Sequence, residues 1–161
     1  MKRTVLALTA VAALMILSSQ ANAAEAKAKK AEAKTPADRV VVIYFHRTQR
    51  CPTCQKMGGY SEEAVVKGFA KQVKDRTVEF HYIDFQDKKN EALAKGYRVT
   101  GPALIVVKVV KNKPVEIVNL QEIWTRNRDK EDFFKYVRDN IVTLQKTAEK
   151  SRKTEKQDVA T

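Results

Sequence analysis

A chain of 161 residues with 43% hydrophobic content is long and apolar enough for one core of ordinary size, which excludes disorder throughout. The formal charge of +12 would favour nucleic acid on a cytosolic chain, but the bases are spread along the sequence and no basic, aromatic-interleaved motif accompanies them. A basic, soluble surface is the plainer reading.

The chain starts with Lys2 and Arg3, runs apolar and uncharged from Thr4 to Leu17, and reaches the small-x-small site Ala21-Asn22-Ala23. That is the pattern of a cleaved secretory signal peptide over 1–23, so the expected location is periplasmic or secreted. The apolar run falls short of the ~20 residues of a membrane span, and no Cys follows the cleavage site to take a lipid. Removing Lys2 and Arg3 leaves 29 of the 31 bases against 19 acids, or +10. Residues 24–37 form an Ala/Lys-rich linker with no stripe to bury. The compact domain is expected over 38–145, and 146–161 as a charged tail in which the last helix frays into disorder.

Arg39 to His46 is a continuous β-branched and aromatic run, the pattern of a central strand covered on both faces. Helical spacing follows from Cys51 through Met57 and through Ala64, Val65, Phe69 and Val73, with Gly58-Gly59 expected to kink or split the helix. Thr77 to Phe85 reads as a second strand and Lys88 to Gly96 as a short helix stopped by Gly96. Ala103 to Lys111 is another buried strand, turned at Lys111-Asn112-Lys113-Pro114 into Val115 to Leu120 as a hairpin. A final helix from Asp129 to about Gln145 aligns Phe133, Phe134, Val137, Ile141 and Leu144. The early strands need crossovers and the late pair is antiparallel, which predicts an α/β fold with a mixed sheet and helices on both faces.

The chain's two cysteines stand three positions apart, in Cys51-Pro52-Thr53-Cys54, where a helix opens directly after a buried strand. A Cys-x-x-Cys at a strand-to-helix unit reads as a redox dithiol. One helical turn brings the sulfurs within bonding reach, so a mixed disulfide on the first is resolved by the second. The helix N-terminus, with Arg47, Arg50 and Lys56, favours thiolate at Cys51 and predicts a pKa below the free value of about 8.5, with Cys54 shielded. Pro52 suits the first turn, where its missing N–H costs nothing. Three plainer readings compete. A purely structural disulfide over so short a loop gives little entropic stabilisation. Zinc would need two further ligands, and His46 and His81 lack the paired spacing, so no metal is expected. A redox-dead binding domain usually signals itself by losing the cysteines.

Over nearly all of 40–145 the chain resembles the thioredoxin superfamily. The resemblance rests on Tyr44-Phe45 ending the first strand, on Cys51-Pro52-Thr53-Cys54, on Tyr82-Ile83-Asp84 and on Tyr97-Arg98-Val99-Thr100-Gly101-Pro102-Ala103-Leu104. It implies a thioredoxin-like fold, a cis bond at Pro102 beside the dithiol, and a substrate-binding role for Gly101 and Pro102. Phe45-His46, Arg50 to Cys54 and Asn119-Leu120-Gln121-Glu122-Ile123-Trp124 together resemble the nitrophenyl-compound nitroreductase subunit group of the ArsF type. No flavin or nicotinamide fingerprint occurs in the sequence, so no cofactor is expected. The buried acid of thioredoxins falls near Tyr44, which leaves Cys54 without an identified proton acceptor. The Pro-Thr dipeptide is closer to glutaredoxin or oxidant motifs, whose potentials run roughly from −230 to −120 mV, and implies a milder reductant.

His46 reads as a surface histidine at a strand end, His81 as a hydrogen-bonded residue on a covered strand, Trp124 as core, and Glu62-Glu63 as a solvated pair pointing apart. The expected activity is exported thiol–disulfide oxidoreduction by Cys51 and Cys54. Its partners would be protein or small-molecule disulfides and dithiols and a redox partner protein, with no nucleic acid and no membrane span after signal removal. The alternative is a docking or electron-relay subunit of a reductase complex.

Overall fold

In the computed structural model, backbone is described for residues 35–158 and side chains for 35–146. The expected signal peptide and nearly all of the linker lie outside the described residues, as do the side chains of the tail. Strand β1 spans Arg39–His46, and helix α1 spans Pro52–Gly68, followed by the short α2 (Ala70–Lys74). Strand β2 is Val78–Asp84; a 3₁₀ turn at Lys88–Asn90 leads into α3 (Glu91–Gly96). Strands β3 (Ala103–Val110) and β4 (Lys113–Asn119) form the hairpin, then come α4 (Ile123–Arg126) and the long α5 (Lys130–Asp158).

The four strands lie in the order β2-β1-β3-β4. β1 pairs parallel with β2 and antiparallel with β3, and β3 pairs antiparallel with β4, giving the mixed sheet that the element order predicts. β1 is central, which is why its run of apolar residues is unbroken: every side chain from Val42 to His46 is buried. Alternate residues serve opposite faces. Val40, Val42, Tyr44, Leu104 and Val106 meet Met57, Ala64 and Val65 of α1 and Phe133, Val137 and Ile141 of α5. Ile43, Phe45, Ile105 and Val107 face the other way, packed by Phe85, Tyr97 and Val99 around α3. Each fully buried side chain of this size contributes about 1.5–3 kcal/mol, so the α1/α5 face holds most of the stabilisation.

Three expectations need correction. α1 runs through Gly58-Gly59 without a break and ends instead at Gly68. A Cβ on Gly68 would lie 2.7 Å from Arg138 Nε, and Phe69 leaves helical geometry at φ −131° and ψ 36°. The reversal between β3 and β4 is tighter than the four residues expected. Lys111 and Asn112 both sit in the left-handed region, at φ 51° and 61°, as a two-residue hairpin of the primed type requires. Pro114 is thereby drawn into the edge strand, beside an irregularity at Lys108/Val109. β2 is an edge strand and not a covered one, so His81 is exposed and is held by Glu79 Oε2 at 3.3 Å. Among the described residues no helix is long and apolar enough to cross a membrane.

Candidate active site

β1 delivers the chain to one end of the sheet, and Arg47–Arg50 carry it to Cys51, the N-cap of α1. Cys51 is extended, at φ −72° and ψ 158°, and Pro52 occupies the first turn as its fixed φ allows. Cys51 and Cys54 are joined as a disulfide, with their Cα atoms 5.1 Å apart. The capping role usually taken by an oxygen falls to sulfur: the Cys54 N–H donates to Cys51 Sγ at 3.2 Å. Cys51, Pro52 and Thr53 are exposed, while Cys54 is buried, so the two sulfurs differ in access.

Beneath the disulfide lies a set of aromatic and polar side chains. The Tyr44 hydroxyl, fully buried, donates to the Cys54 carbonyl at 2.8 Å and ties the first turn of α1 to β1. Burial pushes its pKa up to about 12, against the lowering effect of the Arg50 charge, so it remains a donor at neutral pH. Tyr82, its register partner on β2, meets it edge-on at 6.0 Å and donates to Glu62 Oε2 at 3.2 Å. Burial and the neighbouring Glu62 likewise raise Tyr82 to about 12. Gly58 is needed for this packing: a Cβ there would lie 3.0 Å from a ring carbon of each tyrosine. Rather than breaking the helix, this glycine lets two rings reach it.

His46 is buried, not the surface residue expected, because Arg50 folds back over it. Arg50 Nη2 lies 2.8 Å from His46 Nε2, and the guanidinium sits 5.0 Å above the Tyr82 ring. A guanidinium only donates, so Nε2 accepts and the ring proton is on Nδ1, donating to the Arg47 carbonyl at 2.9 Å. Asp84, opposite His46 in the β1–β2 register, is held below the usual carboxylate range, first by the Thr48 side chain and then by the Gln86 N–H.

Gly101 and Pro102 form a bend entering β3, and Ala103 pairs with Phe45, which places them at the dithiol end of the sheet. The cis bond expected at Pro102 is not found; every peptide bond among the described residues is trans. An X–Pro bond prefers trans by about 0.5–1 kcal/mol, and here Arg98, at φ 54°, redirects the chain upstream. Trp124 is 45% exposed and not core, because Ile123 takes the buried position of the single-turn α4 and the next residue rotates outward. Glu62 and Glu63 do point apart, one to Tyr82 and the other to Lys67 and Lys130. Among the described residues no group of three or more His, Cys, Asp and Glu gathers as a metal site.

Strand–helix–strand–helix, then an antiparallel hairpin and a closing helix around the order β2-β1-β3-β4, with Cys-x-x-Cys opening the first helix, defines the architecture. The fold is thioredoxin-like. No family model and no curated protein matches the chain. Among solved structures, the chain is similar to a thioredoxin of Fasciola hepatica, at 25% identity over 64% of this chain and 93% of that one, with a TM-score of 0.35. A malarial protein is similar at 21% identity over 55% of this chain and 97% of that one, with a TM-score of 0.36.

The dithiol and its place at the helix start were legible in sequence; the residues around it were not. In the sequence Tyr44 and Tyr82 stand out only through the thioredoxin resemblance, Tyr44 also as the place where thioredoxins carry an acid. The available signal was register: aligning the two strands in parallel puts the tyrosines side by side on the face that receives α1.

Proposed function

We propose that this chain is an exported thiol–disulfide oxidoreductase. The observation that carries the reading is the asymmetric pair: an exposed sulfur capping a helix, bonded to a buried sulfur one turn inside it. In the reduced protein the Cys51 thiolate, favoured by the helix N-terminus and the Cys54 N–H, attacks one sulfur of a substrate disulfide. One substrate thiolate leaves and a mixed disulfide forms. Cys54 then attacks Cys51 Sγ, the second substrate thiolate leaves, and the Cys51–Cys54 disulfide is restored. The departing thiolates take up the proton lost by Cys54 and one from water, so two electrons pass to the substrate and the protein is oxidised by the same two. Tyr44 holds the Cys54 carbonyl in the oxidised form and, with its raised pKa, does not serve as the base. A dithiol donor or disulfide acceptor recharges the pair, and the direction follows from its potential against the compartment.

Reduction of insulin with dithiothreitol as electron source tests the activity, with catalysis expected. Silence in that assay, with the dithiol still oxidisable, would favour the docking or relay role implied by the resemblance to nitroreductase subunits. Export is tested by intact mass: mature protein beginning at Ala24 is expected, and retention of residues 1–23 in a membrane fraction would overturn it.

A further inference from the structure

On the helices and at the far end of the sheet, several basic side chains are held by carboxylates. Lys67 and Lys130 share Glu63, Arg126 takes Glu122 and Asp132, Arg76 takes Glu79, and Lys95 and Lys135 take the acids one turn back or ahead. Around the disulfide the arrangement differs. Arg47, Arg50 and Lys56 flank Cys51 in a stretch, from Arg39 to Ser61, that contains no acid. None of the three has a carboxylate within ion-pairing reach among the described residues. The nearby acids are engaged by neutral donors, Glu62 by the Tyr82 hydroxyl and Asp84 by Thr48 and the Gln86 N–H.

Arg50 is ordered all the same. Its guanidinium lies on the Tyr82 face and donates to a neutral imidazole, and its carbonyl accepts from Gln55 Nε2 at 3.4 Å. A stacked guanidinium that has given one N–H to an uncharged acceptor keeps its full charge and most of its five donors. Ordering a cation without neutralising it lowers the entropic cost of binding an anion and leaves a full charge on the residue next to Cys51.

We propose that Arg50, pre-set by His46 and Tyr82 and supported by Arg47 and Lys56, selects substrates: the disulfides this dithiol exchanges are flanked by carboxylates, as in an acidic peptide segment. The inference rests on the exchange activity proposed above and adds the substrate's chemistry. Arg50 supplies the bidentate contact, and the two exposed cations supply attraction that falls with salt. His46 and Tyr82 act through Arg50 as positioning residues.

The test uses the full mature chain and two synthetic peptides that share one disulfide, flanked by Glu in one and by Lys in the other. Oxidised glutathione serves as a small anionic disulfide and 2-hydroxyethyl disulfide as a neutral one. At low ionic strength reduced protein is expected to consume the Glu peptide about tenfold faster than the Lys peptide, with the ratio shrinking toward one as salt rises. R50Q should lose most of that ratio, R50K should keep part of it, H46Q should lower it, and K135Q on the remote α5 surface should leave it alone. Using a ratio within each variant removes any change in the sulfur's own reactivity. Equal rates for the two peptides, or a ratio that R50Q leaves intact, would overturn the proposal; selection of oxidised glutathione but not of the Glu peptide would place the source in a small thiol and overturn the peptide assignment. If even the neutral disulfide is untouched, the exchange activity itself fails. Anisotropy with the Cys→Ser versions of both peptides then still decides the charge preference: tighter binding of the Glu form supports it, and equal binding ends it.

Discussion

The two ends of the sheet hold their cations by different means. At the end where β1 begins, Arg39 donates to the Pro36 carbonyl and to Asn112 Oδ1, and Glu79 lies between Arg39 and Arg76 at 3.8 and 3.3 Å. Asp38 accepts from the Lys111 N–H, so the hairpin turn is stitched to the strand start. Charge there is spent on structure. At the end where β1 finishes, Arg50 rests on an aromatic face and an imidazole, and the polar atoms beneath it serve the first turn of the helix carrying Cys51. A region that neutralises its charges becomes a joint, and a region that orders them unneutralised keeps them available to a partner.

This contrast gives four tests, from the largest effect down. Cys51→Ser should abolish insulin reduction and covalent trapping, whereas Cys54→Ser should trap a stable mixed disulfide visible by mass spectrometry. Alkylation of Cys54 faster than Cys51 at neutral pH would reverse the roles. Gly58→Ala should cost about 1–3 kcal/mol in denaturant unfolding, since the added methyl meets two tyrosine rings at once and one of them must move. Little or no loss would show that the rings are loosely placed and the dithiol end less built than described.

The tyrosines also set a pH dependence. Tyr44 and Tyr82 have folded pKa values near 12, above the usual 10, so the folded state favours their neutral forms. Their stabilising contribution is complete below pH 10 and is lost as pH rises toward about 12. Absorbance of tyrosinate in an alkaline titration should show two late-ionising groups whose appearance tracks unfolding, and Tyr44→Phe should remove one of them. The smallest effect belongs to the opposite end. Asn112→Ala puts a Cβ-bearing residue without local bonding at φ 61° and deletes the bond to Arg39, for roughly 1 kcal/mol of stability and no change in exchange rate. A fall in exchange rate there would break the separation of the two ends.

What could be read in advance followed burial. β1 from Val40 to Phe45, and β3 apart from Lys108, are apolar because both their faces are covered, and a pattern that strong survives any tertiary detail. The last helix was legible for the same reason, with Phe133, Phe134, Val137, Ile141 and Leu144 all buried on one side. Where a residue's role depends on a neighbour distant in sequence, local pattern misleads. Gly58 looks like a break until Tyr44 and Tyr82 are in place, and His46 looks exposed until Arg50 closes over it. Trp124 looks like core by its composition, yet one turn of helix buries only one of two adjacent apolar residues. The dithiol was legible because its two members are local to one another; its supporting shell was not, because it is assembled from β1, β2 and α1.

That Cys51 caps its helix through sulfur couples two quantities usually measured apart. In the disulfide the cap is a neutral acceptor; after reduction and ionisation it is an anion facing the same N–H and the positive end of the helix. Unfolding of the oxidised form, unfolding of the reduced form, and reduction of the folded and of the unfolded chain close a thermodynamic cycle. Whatever the thiolate adds to helix stability therefore reappears as a more oxidising potential, at about 1.4 kcal/mol for each 30 mV. Melting the two redox forms side by side reads the electron affinity of the folded protein relative to its own unfolded chain, with no redox partner in the tube.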